Sequence, residues 1–135
     1  MTLLRFLAVL MIFLFSSCKN MYSKVYDKTS VGSIKCLKVS GKDIFLNNKV
    51  RKSLKEKGIP VKDNCPFVVD VYALKLSQCN SPKGKSIGAD FDGYIRFSVY
   101  KGKKLIYRCQ EDYKGEFGDY LIEDLVSKMK KDLKM

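Results

Sequence analysis

The sequence contains no histidine. That removes Ser–His and Cys–His nucleophile pairs from consideration. No two cysteines stand at CxxC spacing, which argues against both a zinc cage and a close-spaced redox dithiol. Internal repeats and a second domain are absent. The apolar run Phe6 to Phe15 is about half of the roughly 20 residues that a membrane-spanning helix needs. Two short fragments lack the parts that would give them chemistry. Gly84-Lys85-Ser86 has Cys79 where a phosphate-binding loop has its first glycine, and a strand follows where that loop requires a helix. Asp90-Phe91-Asp92-Gly93 lacks the remaining calcium ligands and the closing glutamate.

What is present begins at the N-terminus. Met1 to Arg5 carries one positive charge, Phe6 to Phe15 is apolar, and Ser16 and Ser17 precede Cys18. A cationic start, a short apolar core and a small-residue cleavage site are the parts of a secretory signal. Leu14-Phe15-Ser16-Ser17-Cys18 resembles the lipobox of bacterial lipoproteins. The resemblance implies cleavage before Cys18 and acylation of that residue, palmitate included; the alternative is an ordinary secretory signal that ends on a cysteine. Lys19 stands where an aspartate would retain an enteric lipoprotein in the inner membrane, so the expected address is the outer membrane, facing the periplasm.

Without residues 1–17, 118 of the 135 residues remain, and loss of Arg5 lowers the formal charge from +12 to +11. One small domain is the expectation. Apart from Arg51, Arg96 and Arg108, the positive charge of the mature chain is lysine. Outside the cytoplasm, such a surface meets anionic lipid, lipopolysaccharide phosphates or an acidic protein rather than nucleic acid; a solvated lysine coat is the plain alternative. Cys36, Cys65, Cys79 and Cys109 read as two disulfides in an oxidising compartment. A continuous strand from Pro66 to Gln78 would hold Cys65 and Cys79 about 40 Å apart, against the roughly 7 Å a disulfide tolerates. This argues against Cys65–Cys79 with Cys36–Cys109. Of the two remaining connectivities, Cys36–Cys65 with Cys79–Cys109 is preferred.

Residues 18–32 are polar and aperiodic and read as a lipidated tether, leaving 33–135 as the domain. Ser33 to Val39 is a strand candidate. Asp43 is placed to cap a helix whose stripe is Leu46, Val50 and Leu54, widened by Ile44 and Phe45, and Gly58 stops it. A strand over Phe67 to Leu76 follows, then a loop from Asn80 to Asp92. Tyr94 to Tyr100 alternates, with Ile95, Phe97 and Val99 on one face. For Leu105 to Tyr113 to share that face, Val99 must meet Leu105 and Phe97 must meet Tyr107, around a three-residue loop at Gly102. Asp119 should cap a last helix with Leu121, Ile122, Leu125, Val126, Met129 and Leu133 buried. The order β-α-β-β-β-α implies an α+β domain, a sheet of three to four strands with two amphipathic helices on one face.

Asp70 is the only acid inside an apolar strand and the one candidate for acid–base work; more often such a residue points outward. Tyr94, Tyr100, Tyr107 and Tyr113 are candidates for an aromatic ligand surface. Lys49, Arg51, Lys52 and Lys55 form a basic face on the first helix. The element order, lipobox and closing helix resemble small Gram-negative envelope-assembly lipoproteins, among them the lipopolysaccharide-assembly lipoprotein of the outer-membrane translocon. That resemblance implies a non-enzymatic binding or assembly factor without a cofactor, anchored through Cys18. Its candidate partners are an envelope protein complex, anionic lipid or lipopolysaccharide. A small envelope enzyme is the third reading.

Overall fold

A computed structural model describes residues 20–75 and 91–135. Alternating runs settle as strands because a period of two turns one set of side chains to a core and the other to water. Among the described residues five strands form: β1 (Met21–Val25), β2 (Lys38–Ser40), β3 (Phe67–Lys75), β4 (Gly93–Lys101) and β5 (Lys104–Tyr113). They make one sheet in the order β1-β5-β4-β3-β2, antiparallel except that β2 runs parallel to β3. Helices α1 (Ile44–Glu56) and α2 (Asp119–Leu133) cover one face and share a single core with it. The domain is α+β, but its five strands correct the expectation of three to four. The added strand comes from residues 18–32, expected to be a tether. There, β1 pairs along its whole length with Tyr107 to Glu111 of β5. Its three central residues are exposed, so it lacks the apolar density that marks an interior strand. Among the described residues, no helix is long and apolar enough to cross a membrane.

The helices start and stop where their end chemistry dictates. The Asp43 carboxylate accepts the Leu46 N–H at 3.1 Å, capping α1, and Gly58, at φ 77°, ends it. Lys130 reaches across from α2 to donate to the Lys57 carbonyl at 2.7 Å. Leu46, Val50 and Leu54 are buried, whereas Ile44 and Phe45 stand 70% and 82% exposed. At 3.6 residues per turn these two lie about 120° and 140° from the middle of the buried stripe, so they extend it on neither side. In α2 the cap position belongs to Gly118, and Asp119, expected there, is the first helical residue. Its charge still favours the positive end of the helix. All six stripe residues of α2 are buried.

The hairpin of β4 and β5 corrects the expected register. Lys101 pairs with Lys104 across a two-residue turn that opens on Gly102, at φ 61°, the place a tight hairpin reserves for glycine. Tyr100 then meets Leu105 on the outer face. Ile106 is inserted as a bulge, after which Val99 meets Tyr107 and Phe97 meets Cys109. An odd residue had to be absorbed to bring Tyr107 and Cys109 inside, and the strand absorbs it rather than the loop. Both Ile106 and Tyr107 are fully buried as a result.

Two features hold the periphery. Cys36, just before β2, is bonded to Cys65, just before β3, with α-carbons 5.9 Å apart. The bond spans the crossover through α1 and secures a three-residue edge strand. On the opposite side, Asp132 of α2 accepts from Ser23 of β1 at 2.8 Å and from Tyr107 of β5 at 2.7 Å, and pairs with Lys128 at 3.2 Å. Burial raises the Asp132 pKa, but the bonds from Tyr107, Ser23 and Lys128 outweigh it and hold the carboxyl below its usual range. Hydrogen bonds from Thr29 and Ser30 and the Lys104 ammonium likewise depress Asp27.

Two predictions follow from this periphery. Replacing Cys36 and Cys65 with serine frees a loop of sequence separation 29 and should lower unfolding free energy by roughly 3–4 kcal/mol, read from urea denaturation. An unchanged midpoint would show that the staple restrains nothing. Because both depressed acids are charged in the folded state above their unfolded pKa, their stabilisation is complete at neutral pH and fades as pH falls below about 4. Asp132→Ala should cost about 2 kcal/mol at neutral pH and flatten that acid limb. A parallel limb in the variant would assign the acid sensitivity elsewhere.

Candidate functional site

The sheet face away from the helices has no covering element among the described residues, and the register determines what it displays. Tyr22, Gln110, Arg96 and Tyr72 form one row across β1, β5, β4 and β3. Lys24, Arg108, Ser98, Asp70 and Ser40 form the next, across all five strands. Tyr94 stands beside Arg96, its ring 5.1 Å from the guanidinium carbon and 5.9 Å from the Tyr72 ring. The result is a polar, aromatic and cationic surface.

Hydrogen bonds fix this surface. Arg96 donates through Nε to Gln110 Oε1 at 2.9 Å, and Arg108 donates through Nε to Ser98 Oγ at 3.0 Å. The Gln110 amide donates to the Tyr22 hydroxyl and to Asp112 at 3.0 Å, and the hydroxyl in turn donates to Asp112 at 3.4 Å. Burial, then the Asp112 charge and this hydrogen bond, raise the Tyr22 pKa, with Arg96 opposing them. A cavity of about 390 Å³ opens here, lined by Tyr22, Ser23, Lys24, Tyr26, Arg96, Arg108 and Gln110. Three of those residues are cations and none is an acid. Among the described residues, no carboxylate forms an ion pair with Lys24, Arg96 or Arg108.

The sequence-derived candidates fall in different places. On α1, Lys49 pairs with Asp119 at 2.7 Å and Lys52 approaches Glu56 at 4.0 Å. Arg51 is bonded to Asn48 and to the Val39 carbonyl. Lys49, Lys52 and Lys55 are all exposed; the two ion pairs partly offset the expected basic face, while Arg51 meets only neutral groups. Tyr94 and Tyr100 lie on the open face, but Tyr107 and Tyr113 are buried beneath the helices. Asp70 is half-buried in a groove of about 630 Å³ near Lys42, Asp43 and Lys75, and no described side chain bonds its carboxylate. Asp92 has a structural role: its carboxylate accepts the Gly115 N–H at 2.6 Å. Cys18, Cys79 and the Gly84-Lys85-Ser86 fragment lie outside the described residues. Tyr22, Lys24 and Tyr26 were missed as site residues because their segment was read as a tether. Yet Met21, Ser23 and Val25 alternate with these three, and that period of two was the available signal.

Cys36–Cys65 forms as preferred, but Cys109 corrects the other half of the pairing: its thiol is free and 1% exposed. The bulge turns Cys109 inward opposite Phe97 and Ser23, in the layer that α2 covers. Burial pushes its pKa up to about 12, so it carries almost no thiolate at neutral pH. Iodoacetamide at mildly alkaline pH should leave Cys109 untouched in the native protein and alkylate it in urea, as mapped by peptide mass. Native labelling, or recovery of Cys109 in a disulfide, would contradict this placement.

No family model and no curated protein sequence matches the chain. Among solved structures, it is similar to a leucine-to-methionine variant of PelC from Paraburkholderia phytofirmans, described as a dodecamer. The TM-score is 0.51 at 11% sequence identity, covering 84% of this chain and 96% of that one. Identity that low makes the likeness one of fold alone: this chain and PelC share an architecture.

Proposed function

We propose that this protein is a lipid-anchored envelope factor, facing the periplasm, that works by binding or assembly rather than by catalysis. The observation that carries the reading is the open sheet face, where cations and tyrosines are held by side-chain hydrogen bonds beside the strand that leads back to Cys18. Arginines fixed by Gln110 and Ser98 suit recognition, because their planar donors are already oriented. Asp70, the one acid–base candidate, has no described side chain as a partner in proton transfer. The Cys36–Cys65 bond supports an oxidising compartment, in keeping with the signal-like N-terminus. The assembly half of the reading draws on the fold shared with PelC, a protein described as a dodecamer.

Intact-mass analysis of the protein from native membranes tests the address. Loss of residues 1–17, added acyl mass on Cys18 and uptake of hydrogen by Cys36 and Cys65 on reduction are the expected results. An unprocessed, unacylated mass would refute it. Gentle solubilisation and pull-down test the activity, with a defined envelope complex expected; recovery of abundant porins alone would count against assembly.

A further inference from the structure

The most informative feature of the open face is how close it lies to the proposed anchor. The Asn20 carbonyl already accepts the Asp112 N–H at 3.0 Å, so the chain is docked on β5 from Asn20 onward. Only Lys19 separates it from Cys18. Two α-carbon steps reach about 7.6 Å at most, so an acylated Cys18 would keep the start of β1 at the bilayer surface. Tyr22 and Lys24 lie two and four residues further along the same strand.

On that strand Lys24 sits directly opposite Arg108, and Arg96 stands on β4 one row away. Like charges opposite one another across strands destabilise a sheet, and no acid lines the cavity they share. A bound anion would remove that repulsion. The Nε atoms of both arginines are occupied by Gln110 and Ser98, which leaves the terminal guanidinium N–H groups to grip a phosphate. Tyr22 and Tyr26, 54% and 47% exposed, flank the cavity with the amphipathic rings found at membrane interfaces. The nearest acid, Asp112, is tied to Gln110 and Tyr22, and Asp70 lies beyond Ser98 in the Lys24–Arg108 row.

We infer that this cavity is a second, non-covalent membrane contact that holds the phosphate of an anionic phospholipid headgroup and turns the open sheet face toward the bilayer. The inference rests on the proposed acylation of Cys18, but its test does not. It uses the mature chain from residue 18 carrying Cys18→Ser, which keeps every described residue and cannot insert an acyl chain. Sedimentation with phosphatidylcholine vesicles containing phosphatidylglycerol should show salt-sensitive binding, with none to phosphatidylcholine alone. Each cation removed near an anionic surface weakens binding roughly fivefold, so Arg96→Gln with Arg108→Gln should weaken it roughly 30-fold. Lys55→Gln with Lys131→Gln, the same charge change on the helix side, should leave it within about twofold, since charges beyond a Debye length are screened. If the arginine pair fails to fold by circular dichroism, Lys24→Gln on the exposed edge strand replaces it, with a roughly fivefold loss expected. Equal losses from both faces, or no binding to the anionic vesicles, would overturn the proposal. So would saturation by soluble glycerol phosphate at lower concentration than the vesicle lipid, which would make this a site for a free phosphate. Acylation is read separately, from the mass of the native protein, so the two claims can fail independently.

Discussion

The single inserted residue at Ile106 sets the arrangement of the sheet on both faces. A strand shifted by one position sends every side chain to the wrong side, and the two-residue turn at Gly102 begins with Leu105 facing outward. The bulge corrects the phase in one step, so Tyr107, Cys109 and Tyr113 enter the core. It also decides which groups meet on the outside. Without it, a three-residue loop would bring Arg96 directly opposite Arg108. With it, Arg96 faces Gln110 and Arg108 faces Ser98, and each guanidinium gains an acceptor for its Nε. One backbone irregularity therefore completes the hydrophobic core and separates two charges that would otherwise repel at closest range.

The two faces of the sheet are stabilised differently. The helix-covered face depends on close packing of aliphatic and aromatic side chains, and its polar groups are few. One of them, Asp132, joins α2 to β5 and β1. The open face depends on side-chain hydrogen bonds that run between strands, from Tyr22 through Gln110 to Arg96 and from Arg108 to Ser98. These bonds add modest stability individually. Their main effect is to restrict long side chains that would otherwise sample many rotamers.

Much of the helix-covered layer was legible in the sequence because its signals are local. The Asp43 cap, the stop at Gly58 and the six-residue stripe of α2 each follow from residues within a few turns of one another. The inward alternation of Ile95, Phe97 and Val99 was equally plain. The candidate site was far less legible, since it is a product of strand order. Nothing local in Tyr22-Ser23-Lys24 says that β5 will lie beside it, and the alternation there is short and polar. Arg96 and Arg108 were visible as residues, but their spacing depends on a bulge whose alternative, a longer loop, buries the same side chains from Tyr107 onward. Apolar patterning cannot distinguish those two solutions. Lys49 looked unpaired for a related reason: Asp119, its partner, arrives from another helix. Ile44 and Phe45 were misplaced by counting neighbours rather than helical angle.

The pairing of β1 with β5 joins the first and last of the described strands, and Ser23 and Asp132, which meet beside it, are 109 residues apart in sequence. Contacts of such long separation are slow to form because much loop entropy must be lost before they contribute. A chain is made from its N-terminus, so β1, the first of the described strands, has no partner until β5, the last of them, exists. The segment that leads back to Cys18 therefore becomes part of the sheet only when β5 is complete. Topology alone thus imposes a chronology, in which any event that requires this end to be loose must precede the final closure of the domain.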